Sequence, residues 1–211
     1  MSRFTFADIF SVLNATFGLL AIYHLHESSA LFFLLLAVLC DGLDGFVSRK
    51  TTAEERQGIV MDSLADSVSF VIFPALCVFS LQSSGLSAFL FSFSAFLYVW
   101  CGLYRLSRFT AYDSELGAFA GLPTPEAALL LVLLIKVLKT DIFAIPFSVF
   151  LSLLMISSAG YPKIRGRLSL FAGAVILLSV VLFFVWSSFL YVLFFLLLVY
   201  LASPIFSRSG R

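Results

Sequence analysis

The chain has 211 residues, of which 61% are hydrophobic and 12% are charged, and its formal net charge is +1. Soluble domains carry about 25% charged residues, so this composition excludes an ordinary soluble globular protein and favours an integral membrane protein. The near-neutral charge provides no basic field, and we expect no nucleic-acid partner. The three cysteines, Cys40, Cys77 and Cys101, lie in apolar stretches without paired spacing, which predicts buried thiols rather than disulfides or metal ligands.

Eight apolar stretches follow one another along the chain, each close to the length of a membrane-spanning helix. They cover about residues 9–25, 30–48, 58–82, 86–108, 123–139, 141–159, 168–186 and 188–206. A membrane β-barrel would instead show alternating segments of about ten residues. The predicted fold class is therefore an all-α polytopic membrane protein, a bundle of about eight transmembrane helices. The first stretch lacks a small-residue cleavage site, so we expect no cleaved signal peptide.

The distribution of lysine and arginine predicts the orientation of the chain in the cell membrane, because cytoplasmic loops carry an excess of both. With a cytoplasmic N-terminus, only Lys136 and Lys139 of the 13 basic residues fall on the outer side. We therefore expect both termini to be cytoplasmic. The same reading places the junction of the second and third stretches at the cytoplasmic face.

Four aspartates interrupt the second and third apolar stretches: Asp41, Asp44, Asp62 and Asp66. A carboxylate near the centre of a membrane helix costs about 2.5–3.5 kcal/mol on insertion scales, so such residues usually mark a functional site. The first pair has i, i+3 spacing and the second i, i+4 spacing, so each pair shares one helix face. Because a short loop joins the two helices, we expect the faces to meet and form an all-oxygen site for divalent cations.

Carboxylates in membrane helices also occur in the ion and proton pathways of transporters, so an ion-coupled transporter is an alternative function. Transporters commonly carry inverted repeats and helices broken at the middle of the membrane. Neither feature is evident in the sequence. An enzyme site is therefore favoured.

The aspartates belong to a longer motif of the form Asp-x2-Asp-Gly-x2-Ser-Arg-x8-Gly-x3-Asp-x3-Asp, which spans residues 41–66. This pattern resembles the signature of the CDP-alcohol phosphotransferases, with Ser48 where that family usually has alanine. The chemistry fits the pattern, because a diphosphate ester held where water is scarce needs its charge neutralised by divalent ions. A carboxylate is also needed to accept the proton of the attacking hydroxyl.

The resemblance implies one domain over residues 1–211, with a six-helix core followed by two C-terminal helices at about 168–206. It implies a two-metal site for Mg2+ or Mn2+ in which Asp41, Asp44 and Asp62 are ligands. Asp66 is implied to be a ligand and also the general base. Nucleotide or pyrophosphate binding is implied for Gly45, Ser48, Arg49 and Gly58, and for Asn14 in the first stretch.

Three further segments, 63–70, 105–109 and 121–128, resemble the phosphatidylserine and archaetidylserine synthases within that family. This resemblance implies transfer from CDP-diacylglycerol or CDP-archaeol to L-serine in the membrane, by an enzyme that forms a homodimer. Glycerol phosphate and inositol phosphate remain alternative acceptors. Arg105 and Arg108 are candidates for binding the acceptor or a phosphate, since guanidinium suits carboxylate and phosphate geometry. They are equally compatible with a role as cytoplasmic anchors.

Overall fold

The structure is a computed structural model that describes residues 6–48, 55–82, 84–113, 119–161, 167–184 and 188–208. Two π-helical turns lie at Ser67–Ile72 and Phe109–Asp113. The α-helices, in chain order, are α1 (Phe6–Tyr23), α2 (Ser29–Ser48), α3 (Glu55–Asp66), α4 (Phe73–Phe79), α5 (Leu86–Arg108), α6 (Thr124–Lys136), α7 (Asp141–Ile156), α8 (Arg167–Leu182) and α9 (Phe189–Arg208).

The first π-helical turn joins α3 to α4 without a break, so the described residues form eight helical rods. Each rod coincides with one of the eight predicted apolar stretches, and the ends differ by a few residues. The all-helical fold class is therefore confirmed. Two helices in the described part of the chain, Gly58–Phe79 and Leu86–Ala111, have the length and apolar composition needed to cross a membrane, and the other apolar helices there are shorter.

A short antiparallel ladder was not predicted from the sequence. Strand β1 (Phe119–Ala120) pairs with β2 (Gly160–Tyr161). Next to it, Gly121 has a φ of 84°, and a Cβ at this position would lie 2.2 Å from the carbonyl oxygen of Met155. Glycine is required here because other residues avoid positive φ and would collide with this backbone. The ladder therefore fixes the start of α6 against the end of α7.

Helix α6 lies at the centre of the bundle. Every residue from Ala127 to Leu133 is at most 2% exposed. Helices α2, α4, α5, α7 and α9 all contact it, and a helix that is apolar on all sides is stable only when it is surrounded in this way. The central position brings the polar first turn of α6 beside the C-terminal end of α5.

The outside of the bundle is covered by large apolar side chains. On α5, Leu86 is 74% exposed and Trp100 is 75% exposed, and Ile142 on α7 is 81% exposed. Soluble monomers rarely expose contiguous apolar surfaces, because water penalises them in proportion to their area. The surface is consistent with a lipid environment.

Pro74 shapes the rod that carries two of the motif aspartates. Proline has no N–H, so the carbonyl of Phe70, four residues earlier, loses its usual helical donor. The hydroxyl of Tyr98, on α5, donates to that carbonyl at 3.3 Å. The π-helical turn at Ser67–Ile72 lies in the same region and begins directly after Asp66. Such turns are frequent at functional sites.

Helix α1 packs closely against this π-helical turn at Gly18. A Cβ on Gly18 would lie 2.3 Å from Oγ and 2.9 Å from Cα of Ser69. The Ser69 hydroxyl also donates to the carbonyl of Asn14 at 2.9 Å. The two contacts hold α1 against the segment that follows Asp66.

Candidate active site

Three of the four motif aspartates meet at one point between α2 and α3. Asp41, Asp62 and Asp66 each present a carboxylate oxygen, and these oxygens all lie within 4.8 Å of one another. Asp41 comes from α2, whereas Asp62 and Asp66 lie one turn apart on α3. The predicted meeting of the two helix faces is thus confirmed for these three residues. Asp44 lies one turn beyond Asp41 on α2, and its side chain is outside the described residues.

Asn14 holds the last of these carboxylates in place. Its Nδ2 donates to Asp66 Oδ1 at 3.0 Å. Asn14 is fully buried and Asp66 is 6% exposed, so the hydrogen bond is shielded from solvent and fixes the orientation of the carboxylate. The Oδ1 atom of Asn14 is also buried and has no hydrogen-bond partner among the described residues. Asn14, inferred from the resemblance to contribute to the site, lies in contact with it.

A polar face on α1 was missed in the sequence analysis. Asp8, Ser11 and Asn14 follow one another at intervals of three residues, and all three are at most 9% exposed. Their spacing places them on one face of the helix, which packs against α3. Polar residues at this spacing in an otherwise apolar helix were a signal that the sequence offered.

Gly58, on α3, faces this part of α1 with space to spare. A Cβ added at Gly58 would find one described neighbour within 4 Å, the Oδ1 atom of Asp8 at 3.8 Å. Packing against the described residues therefore does not require a glycine here, which leaves room among these residues for a ligand. The side chains at Gly45 and Ser48, and all of Arg49, lie outside the described residues.

Arg105 is an internal residue of the bundle. It is 6% exposed, and its Nη1 donates to Oγ1 of Thr124, in the first turn of α6, at 3.2 Å. Its guanidinium lies 5.7 Å from the centre of the Phe109 ring. It is also within electrostatic range of Asp66 and Asp41. This burial favours a role inside the site over a role as a surface anchor for Arg105. Arg108, one turn later, is partly buried.

Glu126 is a second group that the sequence analysis missed. It lies in the first turn of α6, two residues after Thr124, and is within electrostatic range of Arg105. Its Oε2 atom is buried and has no hydrogen-bond partner among the described residues. Tyr200, on α9, lies in the same electrostatic neighbourhood. Arg105 is thus within electrostatic range of both the aspartate cluster and Glu126.

A separate groove of about 370 Å³ opens between α3 and α5. Its lining is mostly apolar, with Leu64, Leu103 and Leu106 among the residues that form it. In its wall, the hydroxyl groups of Ser63 and Thr110 are 2.6 Å apart and share a hydrogen bond. The aspartates do not line this groove, so it is distinct from the polar site.

The fold and the site together define an α-helical bundle with an apolar surface and a partly buried carboxylate cluster that could hold metal ions. The chain is a member of the CDP-alcohol phosphatidyltransferase family, because the model of that family matches residues 4–197. The family identified from the motif is therefore confirmed.

Comparison with curated proteins gives relatives over most of the chain. A CDP-diacylglycerol–serine O-phosphatidyltransferase of Methanocaldococcus jannaschii is 35% identical over 171 residues, which cover 81% of this chain and 80% of that protein. An archaetidylserine synthase of Methanothermobacter thermautotrophicus is 36% identical and covers 75% of this chain and 70% of its own length. A CDP-diacylglycerol–serine O-phosphatidyltransferase of Bacillus subtilis is 34% identical, with 72% and 86% covered.

Proposed function

We propose that this protein transfers the phosphatidyl or archaetidyl group of a CDP-activated lipid to the hydroxyl of L-serine and releases CMP. The observation that carries the proposal is the meeting of Asp41, Asp62 and Asp66 within electrostatic range of the buried Arg105. This arrangement offers a metal-binding centre and a cationic group within one site. The curated relatives aligned over most of the chain are named for the same transfer to serine or for archaetidylserine synthesis.

The donor set fits Mg2+ or Mn2+. All its ligands are carboxylate oxygens, which hard divalent cations prefer, and three of these oxygens lie within 4.8 Å of one another. Asp41, Asp62 and Asp66 would hold the ions, with Asp44 as a fourth ligand. When bound, two such ions neutralise the diphosphate and polarise its phosphorus.

Asp66 is the group that we propose to act as general base. It accepts the proton of the serine hydroxyl while the serine oxygen forms a bond to the β-phosphorus of the CDP-lipid. The bond between that phosphorus and the bridging oxygen breaks, and CMP leaves with this oxygen. Asn14 positions Asp66, because it occupies Oδ1 and leaves Oδ2 for the proton.

We assign the nucleotide to the side of the aspartate cluster that lies between α1 and the start of α3. The space beside Gly58 supports this assignment, since a side chain there would fill it. Gly45, Ser48 and Arg49 are proposed to complete the nucleotide and pyrophosphate site. Arg105, with Arg108 nearby, is proposed to bind the serine carboxylate.

The whole chain, residues 1–211, is proposed to be one domain of eight membrane spans, with the two C-terminal helices at 168–206 added to the core. The termini and the active site are assigned to the cytoplasmic face of the cell membrane, because only Lys136 and Lys139 among 13 basic residues fall on the other side in this topology. A homodimer is proposed from the family resemblance.

The direct test is CMP release by the purified protein in detergent or lipid. CDP-diacylglycerol and CDP-archaeol are each supplied with L-serine, glycerol 3-phosphate or inositol phosphate, with Mg2+, with Mn2+ or with a chelator. We expect CMP release that requires serine and a divalent cation. Release that depends on a phosphorylated acceptor instead would contradict the assignment of serine.

A further inference from the structure

We propose that Glu126 binds the ammonium group of the acceptor and so selects a zwitterionic amino acid. The inference rests on the proposed function, since it assumes that L-serine is the acceptor. It assigns the cationic end of serine to a residue outside the signature motif. It also explains how the site distinguishes serine from acceptors that carry negative charge alone.

The first observation is the state of the Glu126 carboxylate. Its Oε2 atom is buried and has no hydrogen-bond partner among the described residues. Glu126 also makes no ion pair within 4.0 Å of a described cationic group. A buried carboxylate oxygen without a partner is costly, because burial removes water that would otherwise hydrate it. A cationic group from a ligand would remove this cost.

The second observation is the position of Glu126 relative to the reacting groups. Arg105 lies within electrostatic range of both Glu126 and Asp66. Its guanidinium is held by Thr124, two residues before Glu126 on the same helical turn. The site therefore holds two carboxylates, those of Asp66 and Glu126, within electrostatic range of one guanidinium, that of Arg105.

Serine carries three polar groups that match these three side chains in charge. Its hydroxyl must reach Asp66 for proton transfer, its carboxylate pairs with Arg105, and its ammonium is then left to pair with Glu126. An acceptor with a phosphate and no amine would place a negative group, in place of the ammonium, next to the Glu126 carboxylate. Like charges at short range in a buried site repel each other strongly, so Glu126 disfavours glycerol phosphate and inositol phosphate.

The test uses Glu126→Gln, which keeps the shape of the side chain and removes its charge. We expect the Michaelis constant for serine to rise roughly ten- to a hundredfold, the range for loss of a charge-assisted hydrogen bond. The constant for the CDP-lipid should stay close to the wild-type value, because the substitution removes a contact to serine and none to the CDP-lipid. Glu27→Gln is the matched control, because Glu27 is an exposed glutamate in the connection between α1 and α2.

A serine analogue separates substrate binding from a structural role. 3-Hydroxypropanoate lacks only the amine of serine, so it should inhibit the wild-type protein and Glu126→Gln with the same inhibition constant. If Glu126→Gln weakens binding of this analogue as much as it weakens binding of serine, Glu126 acts as a counter-ion of Arg105 and the proposal is wrong. Equal increases in the Michaelis constants of serine and the CDP-lipid would overturn it as well.

Two measurements keep the test decisive. Binding of CDP to each variant establishes that the site is folded, and Glu126→Asp replaces Glu126→Gln if the latter does not fold. The aspartate keeps the charge but is one methylene shorter. We therefore expect Glu126→Asp to weaken binding of serine and to leave binding of the analogue unchanged. Failure of the proposed function is distinct from these outcomes, because the wild-type protein would then release no CMP with serine.

Discussion

Replacement of Asp66 by asparagine tests the proposed general base with little structural disturbance. The two side chains have nearly the same shape, and Asp66 is only 6% exposed. The amide oxygen of an asparagine can still accept the hydrogen bond that Asn14 Nδ2 donates at 3.0 Å. The substitution also removes one of three negative charges from a cluster whose oxygens lie within 4.8 Å of one another. The variant is therefore expected to fold.

The expected loss is in turnover. General base catalysis contributes about 10²–10⁴-fold to rates, and the Asp66→Asn variant lacks the group that accepts the serine proton. We expect kcat to fall within that range while binding of the CDP-lipid stays measurable. The assay is CMP release at saturating Mg2+ or Mn2+, combined with calorimetric binding of CDP. Asp141→Asn is a matched control, because Asp141 is exposed at the start of α7.

Two results would refute the reasoning in different ways. If the Asp66→Asn variant keeps more than a tenth of the wild-type rate, Asp66 is not the base, because the expected loss is at least about a hundredfold. If CDP binding disappears together with turnover, Asp66 serves chiefly as a metal ligand. The second result would leave the carboxylate cluster intact as a site but would require another proton acceptor.

The other predictions test the cation site, the acceptor site and the packing of α1. Asp41→Ala should abolish metal-dependent CDP binding measured by calorimetry, and retained binding would contradict a shared carboxylate site. Arg105→Lys should raise the Michaelis constant for serine about ten- to a hundredfold, because lysine loses the planar fork; an unchanged constant would remove Arg105 from the acceptor site. Gly18→Ala should lower stability by about 1–3 kcal/mol, because the new methyl would lie 2.3 Å from Ser69 Oγ; thermal unfolding in detergent measures this. Gly173→Ala is its control, since no described atom lies within 4 Å of a Cβ there.

The helices and the aspartate cluster could be predicted because each depends on local pattern. A run of apolar residues specifies a helix in lipid, where every backbone group must find its hydrogen bond within the chain. The pairs Asp41/Asp44 and Asp62/Asp66 are placed on helix faces by spacing alone, and a short loop makes the two helices neighbours. The meeting of Asp41, Asp62 and Asp66 followed from these two facts.

The acceptor side of the site could not be predicted in the same way, because it depends on contacts between residues far apart in the chain. From the sequence alone, Arg105 fits the role of a cytoplasmic anchor equally well. The structure adds that α6 packs against α5 and that Thr124 accepts a hydrogen bond from Arg105. Glu126 lies in the segment 121–128 that resembles the serine synthases, but the segment does not show what its carboxylate contacts, and an acidic residue is common in the first turn of a helix. The π-helical turn after Asp66 depends likewise on tertiary contacts, such as the bond from Tyr98 to Phe70.

The site draws its parts from two halves of the chain, and this division has a mechanistic consequence. Helices α1, α2 and α3 contribute the carboxylates and the space beside Gly58, whereas α5 and α6 contribute Arg105 and Glu126. Asp66 connects the two halves, since it accepts a hydrogen bond from Asn14 on α1 and lies within electrostatic range of Arg105 on α5. Changes on α1 to α3 should therefore act mainly on the CDP-lipid and changes on α5 and α6 mainly on serine. A change at Asp66 alone should act on the transfer step, in which the serine oxygen forms a bond to the phosphorus of the CDP-lipid.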